Sequence, residues 1–561
     1  MFAGEGSRVE CVARQDRGLS TRLERPELDR PSPSEDLRAS DRTGSCATMT
    51  AIRVGTICMG PHLHGWRAML NANAVRPASG DMPSTIVMGA GPGGLCAAYV
   101  LTKAGRPVTV LEKAPFVGGL ARTIRRQTEH GEFKFDIGGH RWFTKNDELN
   151  AIFREVIGDE LLWVNRISRI YFDGRYVNYP LKIGNALSAM NPVVAVQAVL
   201  DYFRTRAAQK ISRKPVTSME DAYVDQFGPT LYRLFFQRYS EKVWGLPCAQ
   251  MSGDWVSQRS KGMSLVTAVK DAVIPSRGKV VSLIDEFMYP KYGFGRFSER
   301  MAEAITTNGN AVRLGAGVEK VERRGNQVTA VVVSTDDGTE RIEAEQFISS
   351  IPLTRLAEIM DPPAPDDVIA AAKKLTFRNI ITVNVMLRRQ QMTPDTWLYV
   401  HDRNIMFGRL HEPKNWSAAM VPGDEFTSVV AEYFCSFGDH IWNMTDEQLV
   451  EQTVKHLVED LKFITRGEVL GGFAVRAPRA YPSYVLGYEK PLARVKEFIQ
   501  SFENLQIIGR YGTFRYNNTD HSVETGLLAA RNILGERHDL ERVNADREYH
   551  EIKRITVPAH S

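Results

Sequence analysis

The stretch Thr85-Ile-Val-Met-Gly-Ala-Gly-Pro-Gly-Gly94 joins a short apolar run to a loop whose glycines have the spacing GxGxxG. The apolar run is typical of a buried strand. Residues 95–104 after the loop predict a helix, and residues 108–111 predict a second strand. That strand ends at an acid, Glu112. The order of strand, loop, helix, strand and acid predicts a dinucleotide-binding fold that begins near residue 83.

Each glycine of the loop has its own structural role. Gly89 permits the tight turn, Gly91 lets the backbone approach a pyrophosphate, and Gly94 allows the helix to pack closely on the strand. The N-terminus of the helix offers unpaired N–H groups and a partial positive charge to phosphates. Glu112 stands about 20 residues further on, where a carboxylate accepts a hydrogen bond from a ribose hydroxyl. An acid at this position disfavours the 2′-phosphate of NADP.

The composition excludes several classes of protein. The 561 residues include 71 basic and 66 acidic residues, and a net charge of +5 does not indicate a nucleic-acid binder. The six cysteines are scattered without a CxxC pair, so we predict neither a disulfide framework nor a metal site. This use of cysteine fits a reducing compartment, and we therefore predict a cytoplasmic location. Apolar stretches such as residues 192–200 are too short to span a membrane.

The two ends of the chain differ in amino-acid composition from the rest. Residues 1–82 are polar and rich in Arg and Pro, and they lack helical or strand periodicity. Such a composition buries too little apolar surface to offset chain entropy. We predict that this stretch is a disordered extension, or that the upstream start is misassigned and Met82 is the better start. Residues 537–561 are predicted to be a charged C-terminal tail.

A second glycine segment indicates which dinucleotide the fold binds. The stretch Phe116-Val-Gly118-Gly119-Leu-Ala-Arg122-Thr resembles the segment after the ribose acid in the glutathione-reductase-type FAD fold. This fold is used by amine oxidases, phytoene desaturases, protoporphyrinogen oxidases and UDP-galactopyranose mutases. The resemblance implies that FAD is the cofactor. It also implies that Gly118 and Gly119 pass close to the flavin and pyrophosphate, and that Arg122 offsets their negative charge.

The resemblance continues near the C-terminal end. The stretch Leu505-Gln-Ile-Ile-Gly509-Arg510, followed by Thr525-Gly-Leu-Leu-Ala-Ala, is similar to the closing motif of the superfamily. In that motif a strand ends at a glycine and the next helix points its N-terminus at the flavin. Residues 318–343 alternate like a β-meander, and the resemblance places the backbone of Val318 beside the adenine. It also assigns Gly509, Arg510 and Asp520 to cofactor binding.

These observations predict an α/β protein with a Rossmann-type FAD-binding domain of the glutathione-reductase type. This domain is interleaved with a substrate domain of helices and an antiparallel sheet. The predicted FAD-binding segments are residues 83–150, 276–375 and 500–536, and the predicted substrate-domain segments are residues 151–275 and 376–499.

Within the superfamily, several segments look closest to UDP-galactopyranose mutase. They resemble the mutase's glycine-histidine segment, its "YTEKxWG…R" segment, its "TRxxEHK" segment and its "GRxGxYRYxxMD" segment, together with a tyrosine-proline segment of the same pocket. In this chain they are Phe135-Asp-Ile-Gly-Gly-His140, Tyr239-Ser-Glu-Lys-Val-Trp244-Gly with Arg259, Phe407-Gly-Arg409-Leu-His-Glu-Pro-Lys, Gly509 to Asp520 with Tyr516, and Tyr481-Pro-Ser-Tyr484.

The resemblance implies a set of site residues. Arg259 and Arg409 would hold the diphosphate of a nucleotide sugar because a guanidinium matches phosphate oxygens in bidentate fashion. Hydroxyls of Tyr484 and Tyr516 would assist them. Trp244 would offer an apolar face to the sugar or base. His140 would lie against the isoalloxazine, and we expect His140, Arg259 and Arg409 to be the catalytic residues.

The implied activity is the interconversion of pyranose and furanose forms of a nucleotide sugar through a reduced-flavin N5 adduct. This chemistry needs an electron donor, NAD(P)H or a reductase, to reduce the flavin. The alternative is an FAD-dependent oxidoreductase of the amine oxidase, desaturase or protoporphyrinogen oxidase type, and a non-catalytic flavin-binding protein is a third hypothesis. Departures from the mutase pattern, such as Phe514 and Thr519 in the closing segment, leave the substrate open.

Overall fold

The structure is a computed structural model that describes residues 85–179, 191–212, 215–259, 281–283, 286–545 and 552–554. Of residues 257–259, 281–283 and 552–554, only the backbone is described. The extension predicted over residues 1–82 lies outside these ranges, and so do residues 546–551 and 555–561 of the predicted tail.

A five-stranded parallel sheet, called the nucleotide sheet below, contains the strand Thr85–Met88 at its centre. All four of its strand pairings are parallel. Parallel strands are covered on both faces, which explains why Thr85-Ile-Val-Met is fully buried. In spatial order the strands are Ala311–Leu314, Val108–Glu112, Thr85–Met88, Gln346–Ser349 and Leu505–Ile507.

Two helices that matter for function are joined to this sheet. The glycine-loop helix, Pro92–Lys103, follows the first strand. The closing helix, Thr519–Ile533, follows the last strand and packs against the glycine-loop helix. The helix Arg296–Thr307 also packs against the glycine-loop helix. Residues 92–103 and 519–533, which are far apart in the sequence, are thereby packed together.

A four-stranded sheet is formed mainly by residues that lie between the nucleotide-sheet strands Ala311–Leu314 and Gln346–Ser349 in the sequence. Its strands Gly317–Arg324, Gln327–Thr335 and Gly338–Glu343 form an antiparallel meander, and Met360–Asp361 adds a short parallel strand. Val321 is paired with Val331, and Val331 with Ile342. The β-meander predicted over residues 318–343 is confirmed.

A seven-stranded sheet, called the large sheet below, carries the second half of the fold. Its neighbouring strands are antiparallel except for one parallel pair, Trp397–Val400 with Ser168–Phe172. In spatial order the strands are Val469–Pro482, Phe377–Leu387, Thr427–Cys435, Arg409–His411, Trp397–Val400, Ser168–Phe172 and Arg175–Asn178.

The two faces of the large sheet have different neighbours. Along Thr427–Cys435, Val429 and Ala431 pack into one apolar cluster with the helix Asp446–Lys455. Val430, on the opposite face because side chains alternate along a strand, packs with the hairpin Thr123–Asp136. Glu432 and Phe434 have the same parity as Val430, and they therefore face the hairpin side of the sheet.

Helices fill most of the space between and beside the sheets. Those of the predicted substrate domain include a π-helical turn, Tyr232–Gln237, which leads into Arg238–Trp244. The other helices of four or more residues in the described ranges are Asp147–Ile157, Pro192–Ile211, Met219–Phe227, Asp254–Arg259, Leu353–Glu358, Asp366–Ala372, His440–Asn443, the π-helical His456–Asp460, Glu489–Gln500 and Gly509–Gly512. Shorter strand pairs are Leu161–Asn165 with Glu286–Pro290 and Val281–Leu283 with Ile552–Arg554.

The predicted fold class is confirmed: a parallel nucleotide sheet with helices is combined with a separate, mainly antiparallel sheet. The division into two discontinuous domains stays a prediction. Within the described part of the chain, no helix combines the length and apolar character needed to cross a membrane.

Candidate functional site

The glycine loop has the geometry that a dinucleotide requires. Gly89 turns the chain with φ +102°, a conformation that favours glycine. A Cβ at Gly94 would collide with the carbonyl oxygen of Gly89. A Cβ at Gly91 would meet nothing within 4 Å, so the space beside this residue is open to a ligand.

The end of the second strand is tied to the same loop. The carboxylate of Glu112 accepts hydrogen bonds from the backbone N–H groups of Ala90 and Ala114, each at 2.8 Å. Burial raises the pKa of Glu112, while these hydrogen bonds and the charge of Arg122 oppose that shift. Val318 lies two residues beyond Ala316, whose N–H donates to the carbonyl oxygen of Glu112 at 2.8 Å. The structure therefore brings Glu112 and Val318 to the same edge of the nucleotide sheet.

The second glycine segment lies against the first. Gly118 has φ +96° and donates its N–H to the carbonyl oxygen of Ala90 at 2.8 Å, and Gly119 has φ +54°. The guanidinium of Arg122 stacks 3.5 Å from the ring centre of Phe116. Its Nε is buried without a hydrogen-bond partner among the described residues, and burial lowers the pKa of Arg122 to about 10. A buried donor of this kind next to a phosphate-binding loop fits an anionic cofactor.

The closing helix meets the glycine-loop helix at its glycines. A Cβ at Gly526 would collide with the carbonyl oxygen of Gly93, and a Cβ at Gly93 would lie 2.6 Å from that of Ser522. Gly509 turns with φ +71° and donates its N–H to Thr525 Oγ1 at 2.9 Å. The two helices can approach this closely because Gly93 and Gly526 carry no Cβ at the crossing.

A cavity that is open to solvent lies where these segments converge. Its lining includes residues of the glycine loop, of the second glycine segment and of the closing segment. The lining residues that matter here are Gly91, Gly119, His140, Gly509, Arg510 and Asn517. Asn517 is 1% exposed, and its Nδ2 lacks a hydrogen-bond partner within the described chain. Asp520 is buried in the first turn of the closing helix, with Oδ1 3.6 Å from His521 Nδ1.

His140 lies in the wall of this cavity. Its Nδ1 is 3.3 Å from the carbonyl oxygen of Gly138. Burial and the positive charges of Arg510 and Arg409 lower the pKa of His140 to about 4, although the Gly138 carbonyl favours the charged form. The imidazole is consequently neutral near pH 7.

Beside His140 lies a group called the arginine–tyrosine cluster below: Arg409, Arg510, Tyr481 and Tyr516. Tyr481 and Tyr516 are stacked with ring centres 5.0 Å apart. The guanidinium of Arg510 lies 5.1 Å from the first ring and 5.2 Å from the second. Arg409 Nη2 donates to the hydroxyl of Tyr481 at 2.8 Å. Its Nε is buried and finds no hydrogen-bond partner in the described residues.

Glu432 connects this cluster to the His140 loop. It is 2% exposed and lies directly opposite Arg409 in the large sheet. Its Oε2 accepts from Arg409 Nη2 at 2.5 Å, and its Oε1 accepts from the N–H of Gly139 at 3.4 Å. Burial and this carboxylate act in opposite directions on Arg409, and the net effect raises its pKa well above the usual value. Arg409 therefore stays charged while part of its field is neutralised.

Three further predicted residues differ in their surroundings. Trp244 is buried, with its ring in edge contact with Tyr481 and Tyr516 of the cluster. Tyr484 is not brought to Arg409. It is 2% exposed, stacks on Tyr488 and accepts the backbone N–H of Tyr516 at 2.8 Å. Arg259 ends the helix Asp254–Arg259, and its side chain lies outside the described residues.

Two other residues of the Arg409 segment support the backbone. Glu412 is fully buried and accepts from the N–H groups of Met392 and Thr393. Lys414 Nζ donates to carbonyl oxygens such as that of Asp424 at 2.6 Å. Sequence reasoning did not identify Tyr481 or Glu432 as site residues. The tyrosine-proline segment could have indicated Tyr481, whereas Glu432 lies in a strand that is buried throughout.

The nucleotide sheet, its glycine loop and the helix N-termini define a dinucleotide-binding flavoprotein fold. The chain matches the flavin-containing amine oxidoreductase family over residues 92–534 and belongs to that family. FAD is its cofactor, which agrees with the open space at Gly91 and the buried Nε of Arg122.

Individual relatives fall into several classes. An L-amino-acid oxidase of Bothrops moojeni is 23% identical over 80% of this chain and 88% of its own length. A phytoene dehydrogenase of Streptomyces griseus is 27% identical over 46% of this chain and 52% of its own. Crystalline reduced UDP-galactopyranose mutase superposes with a TM-score of 0.72 at 21% identity, covering 83% of this chain and 98% of that chain. A putative protoporphyrinogen oxidase of Exiguobacterium gives a TM-score of 0.61 at 16% identity, covering 81% and 99%.

Proposed function

We propose that this flavoenzyme interconverts pyranose and furanose forms of an anionic nucleotide sugar without net oxidation. The observation that carries the proposal is the arginine–tyrosine cluster beside the cofactor cavity. The guanidinium of Arg510 lies over the stacked rings of Tyr481 and Tyr516, and that of Arg409 donates to the hydroxyl of Tyr481. Cations and hydroxyls suit a diphosphate better than they suit a polyene or porphyrinogen.

The hydrogen-bonding capacity of Arg409 supports binding of an oxyanion. One Nη donates to Glu432 and Tyr481, while the buried Nε has no acceptor within the described residues. A phosphate oxygen that reached this Nε would satisfy a buried donor. Glu432 keeps the site from accumulating positive charge before the substrate arrives, because it is ion-paired with Arg409.

Reduced flavin would supply the nucleophile for the anomeric carbon in such a rearrangement. The residues of this chain would bind and orient the substrate. His140, neutral near pH 7, donates from Nδ1 to Gly138 in the tautomer that fits its neighbour, which leaves Nε2 as an acceptor. Trp244, in edge contact with Tyr481, would form the apolar side of the sugar pocket. NAD(P)H or a reductase would reduce the flavin.

The second candidate is an FAD-dependent oxidoreductase. It is favoured by the family itself and by relatives that are L-amino-acid oxidases. An amino acid also carries a carboxylate that a guanidinium could bind. The candidates differ in electron flow, because an oxidase consumes an oxidant with each turnover, whereas a mutase keeps its flavin reduced and consumes no oxidant.

Turnover by reduced protein separates the two candidates. The purified protein is reduced chemically, kept free of oxygen and incubated with UDP-galactofuranose, and the sugar nucleotide is followed by chromatography. Conversion to the pyranose form with many turnovers per added electron pair supports the mutase. Absence of conversion, together with peroxide release from L-amino acids in air, contradicts it and supports the oxidoreductase.

Arg409 provides the mutational test. Arg409→Lys keeps the charge but loses the planar fork, and we expect kcat/KM for the sugar nucleotide to fall on the order of a hundredfold. The double variant Arg409→Ala with Glu432→Gln avoids leaving a buried carboxylate unpaired and should be at least as impaired. Arg389→Ala, which removes a partly exposed partner of Glu468, is the matched control. Unchanged kcat/KM in the Arg409 variants would exclude this residue from substrate binding.

A further inference from the structure

The ammonium group of Lys242 lies among backbone carbonyl oxygens of a loop that precedes Arg409. Its Nζ donates to the carbonyl oxygens of Val400 at 3.0 Å, Asp402 at 2.6 Å and Ile405 at 2.9 Å, with that of Phe407 at 3.4 Å. A lysine has three N–H donors, so all of them are shared among these four acceptors. Lys242 thereby occupies the place that a bound cation would take.

The loop over residues 401–407, called the carbonyl loop below, joins two strands of the large sheet. It is closed at its base by the N–H of Val400, which donates to the carbonyl oxygen of Gly408 at 2.9 Å. Gly408 in turn donates its N–H to the carbonyl oxygen of Glu432 at 2.9 Å. Arg409 is the next residue, so these hydrogen bonds of Gly408 fix the main chain from which the Arg409 side chain reaches Glu432. Several carbonyl dipoles converging on one volume repel each other unless a positive charge lies between them.

The helix that carries Lys242 contacts the site at two more points. Within Arg238–Trp244, Tyr239 stacks on His401 of the carbonyl loop with ring centres 4.6 Å apart. Trp244 meets the ring of Tyr481 edge-on at 6.5 Å. One short helix therefore contacts both the loop before Arg409 and the tyrosine that accepts its hydrogen bond.

Lys242 is charged at neutral pH despite its surroundings. Burial lowers its pKa to about 8, and the negative charge of Asp402 opposes the shift. The positive charge of Lys242 adds to burial in lowering the pKa of His401 to about 3, so that the neighbouring ring is neutral.

We propose that Lys242 is a positioning residue, whose ammonium acts as an internal cation that fixes the carbonyl loop and so holds Arg409 where it binds the anionic part of the substrate. The nature of that ligand rests on the proposed function. The effect on the loop and on Arg409 does not, because it follows from the contacts of Lys242 alone.

Hydrogen exchange tests the loop directly. Lys242→Met keeps the length of the side chain and removes its charge and donors. In the FAD-loaded full-length variant we expect amide exchange over residues 400–411 to be at least about tenfold faster than in the wild type. Lys496→Met is the matched control, because this lysine is also partly buried but pairs with Glu541 and not with the carbonyl loop. Unchanged exchange over 400–411 in Lys242→Met overturns the inference.

Ligand binding tests the consequence for Arg409. UDP is used as the probe with oxidised holoprotein in calorimetry. We expect its affinity to fall at least about tenfold in Lys242→Met, with unchanged FAD content. Lys242→Ala leaves a cavity beside the carbonyl oxygens, where methylammonium should restore part of the affinity for UDP. The affinity of Lys496→Met should not change on its addition.

The outcomes keep this inference separate from the proposed function. Faster exchange with weaker UDP binding supports the positioning role, and rescue by methylammonium strengthens it. Faster exchange with unchanged UDP affinity overturns it, because Arg409 would then be held by other contacts. If the wild type itself binds no UDP, the proposed function fails, and the exchange of residues 408–411 alone decides whether Lys242 positions Arg409.

Discussion

The cofactor half and the proposed substrate half of this site are built from different parts of the chain. Around the cavity, the decisive contacts are made by backbone: glycines such as Gly94 and Gly526 allow carbonyl oxygens to approach where a Cβ would collide. Around Arg409, they are made by side chains, chiefly Glu432 and Tyr481, on different strands of the large sheet.

This difference determines what each half tolerates. A backbone site fails as a whole when a Cβ is added where the glycine packs against main chain, as at Gly94, because the main chain cannot move away. A side-chain site can lose one hydrogen bond and keep its shape, and it then changes affinity by smaller steps. The same nucleotide fold can accordingly host several chemistries, as the oxidases and the mutase among its relatives illustrate.

The largest effect is expected in the glycine loop. Gly94→Ala places a Cβ against the carbonyl oxygen of Gly89, and we expect loss of both folded protein and bound FAD. Gly91→Ala has open space and an ordinary φ of −73°, so the chain should fold. Its FAD affinity should still fall at least about tenfold, because the new methyl group occupies the approach of the pyrophosphate.

Flavin absorbance and thermal melting of the two variants make this measurement. Gly467→Ala is the control, since its Cβ would also meet nothing within 4 Å. Equal FAD content in wild type and both loop variants would contradict the assignment of a backbone-built cofactor site.

An intermediate effect is expected from acid on the substrate half. Burial lowers the pKa of His411 and of His401 to about 3, and that of His140 to about 4. As the pH falls below 6.5, these histidines bind protons in the unfolded chain but not in the folded protein. The free energy of unfolding therefore decreases. Each fully buried histidine should account for about 2 kcal/mol between pH 6.5 and about pH 5.

Chemical denaturation across this pH range tests the sign and the size. His411→Gln should have a shallower decrease of the free energy of unfolding than the wild type. A steeper or identical pH dependence would show that His411 is protonated in the folded protein.

The smallest effect should distinguish two neighbouring tyrosines. Tyr481→Phe removes the hydroxyl that accepts from Arg409, and we expect a several-fold rise of KM for the substrate with little change in stability. Tyr484→Phe removes the acceptor of the Tyr516 N–H, which should cost about 1 kcal/mol of stability and leave KM nearly unchanged. Steady-state kinetics and denaturation of both variants make the comparison, and the opposite pattern would favour Tyr484 over Tyr481 as the substrate-binding residue.

The same difference explains what could be predicted from the sequence. The glycine spacing indicated the nucleotide sheet, and alternation indicated the meander over residues 318–343, because both depend on local geometry. The closing helix begins at Thr519, before the Thr525-Gly-Leu-Leu-Ala-Ala stretch that indicated it, and His521 Nδ1 accepts the backbone N–H of Asn518 at this start. A histidine at that position is an unusual capping partner, so the start could not be recognised from the usual residue types.

The side-chain half was harder to predict. Glu432 lies within Thr427–Cys435, a strand buried at every position, and only its pairing with Arg409 reveals its role. Tyr481 and Tyr484 are three residues apart, but the strand ends between them at Pro482, so they point to different surroundings. Contacts between distant strands have no local sequence signal.

The flavin content of the purified full-length chain tests the central claim most directly. The protein is denatured, and the released cofactor is identified and counted by chromatography against FAD and FMN standards. A cavity formed jointly by the glycine loop and the closing segment predicts a single FAD per chain. A folded, colourless protein that takes up no FAD on refolding with the cofactor would contradict it.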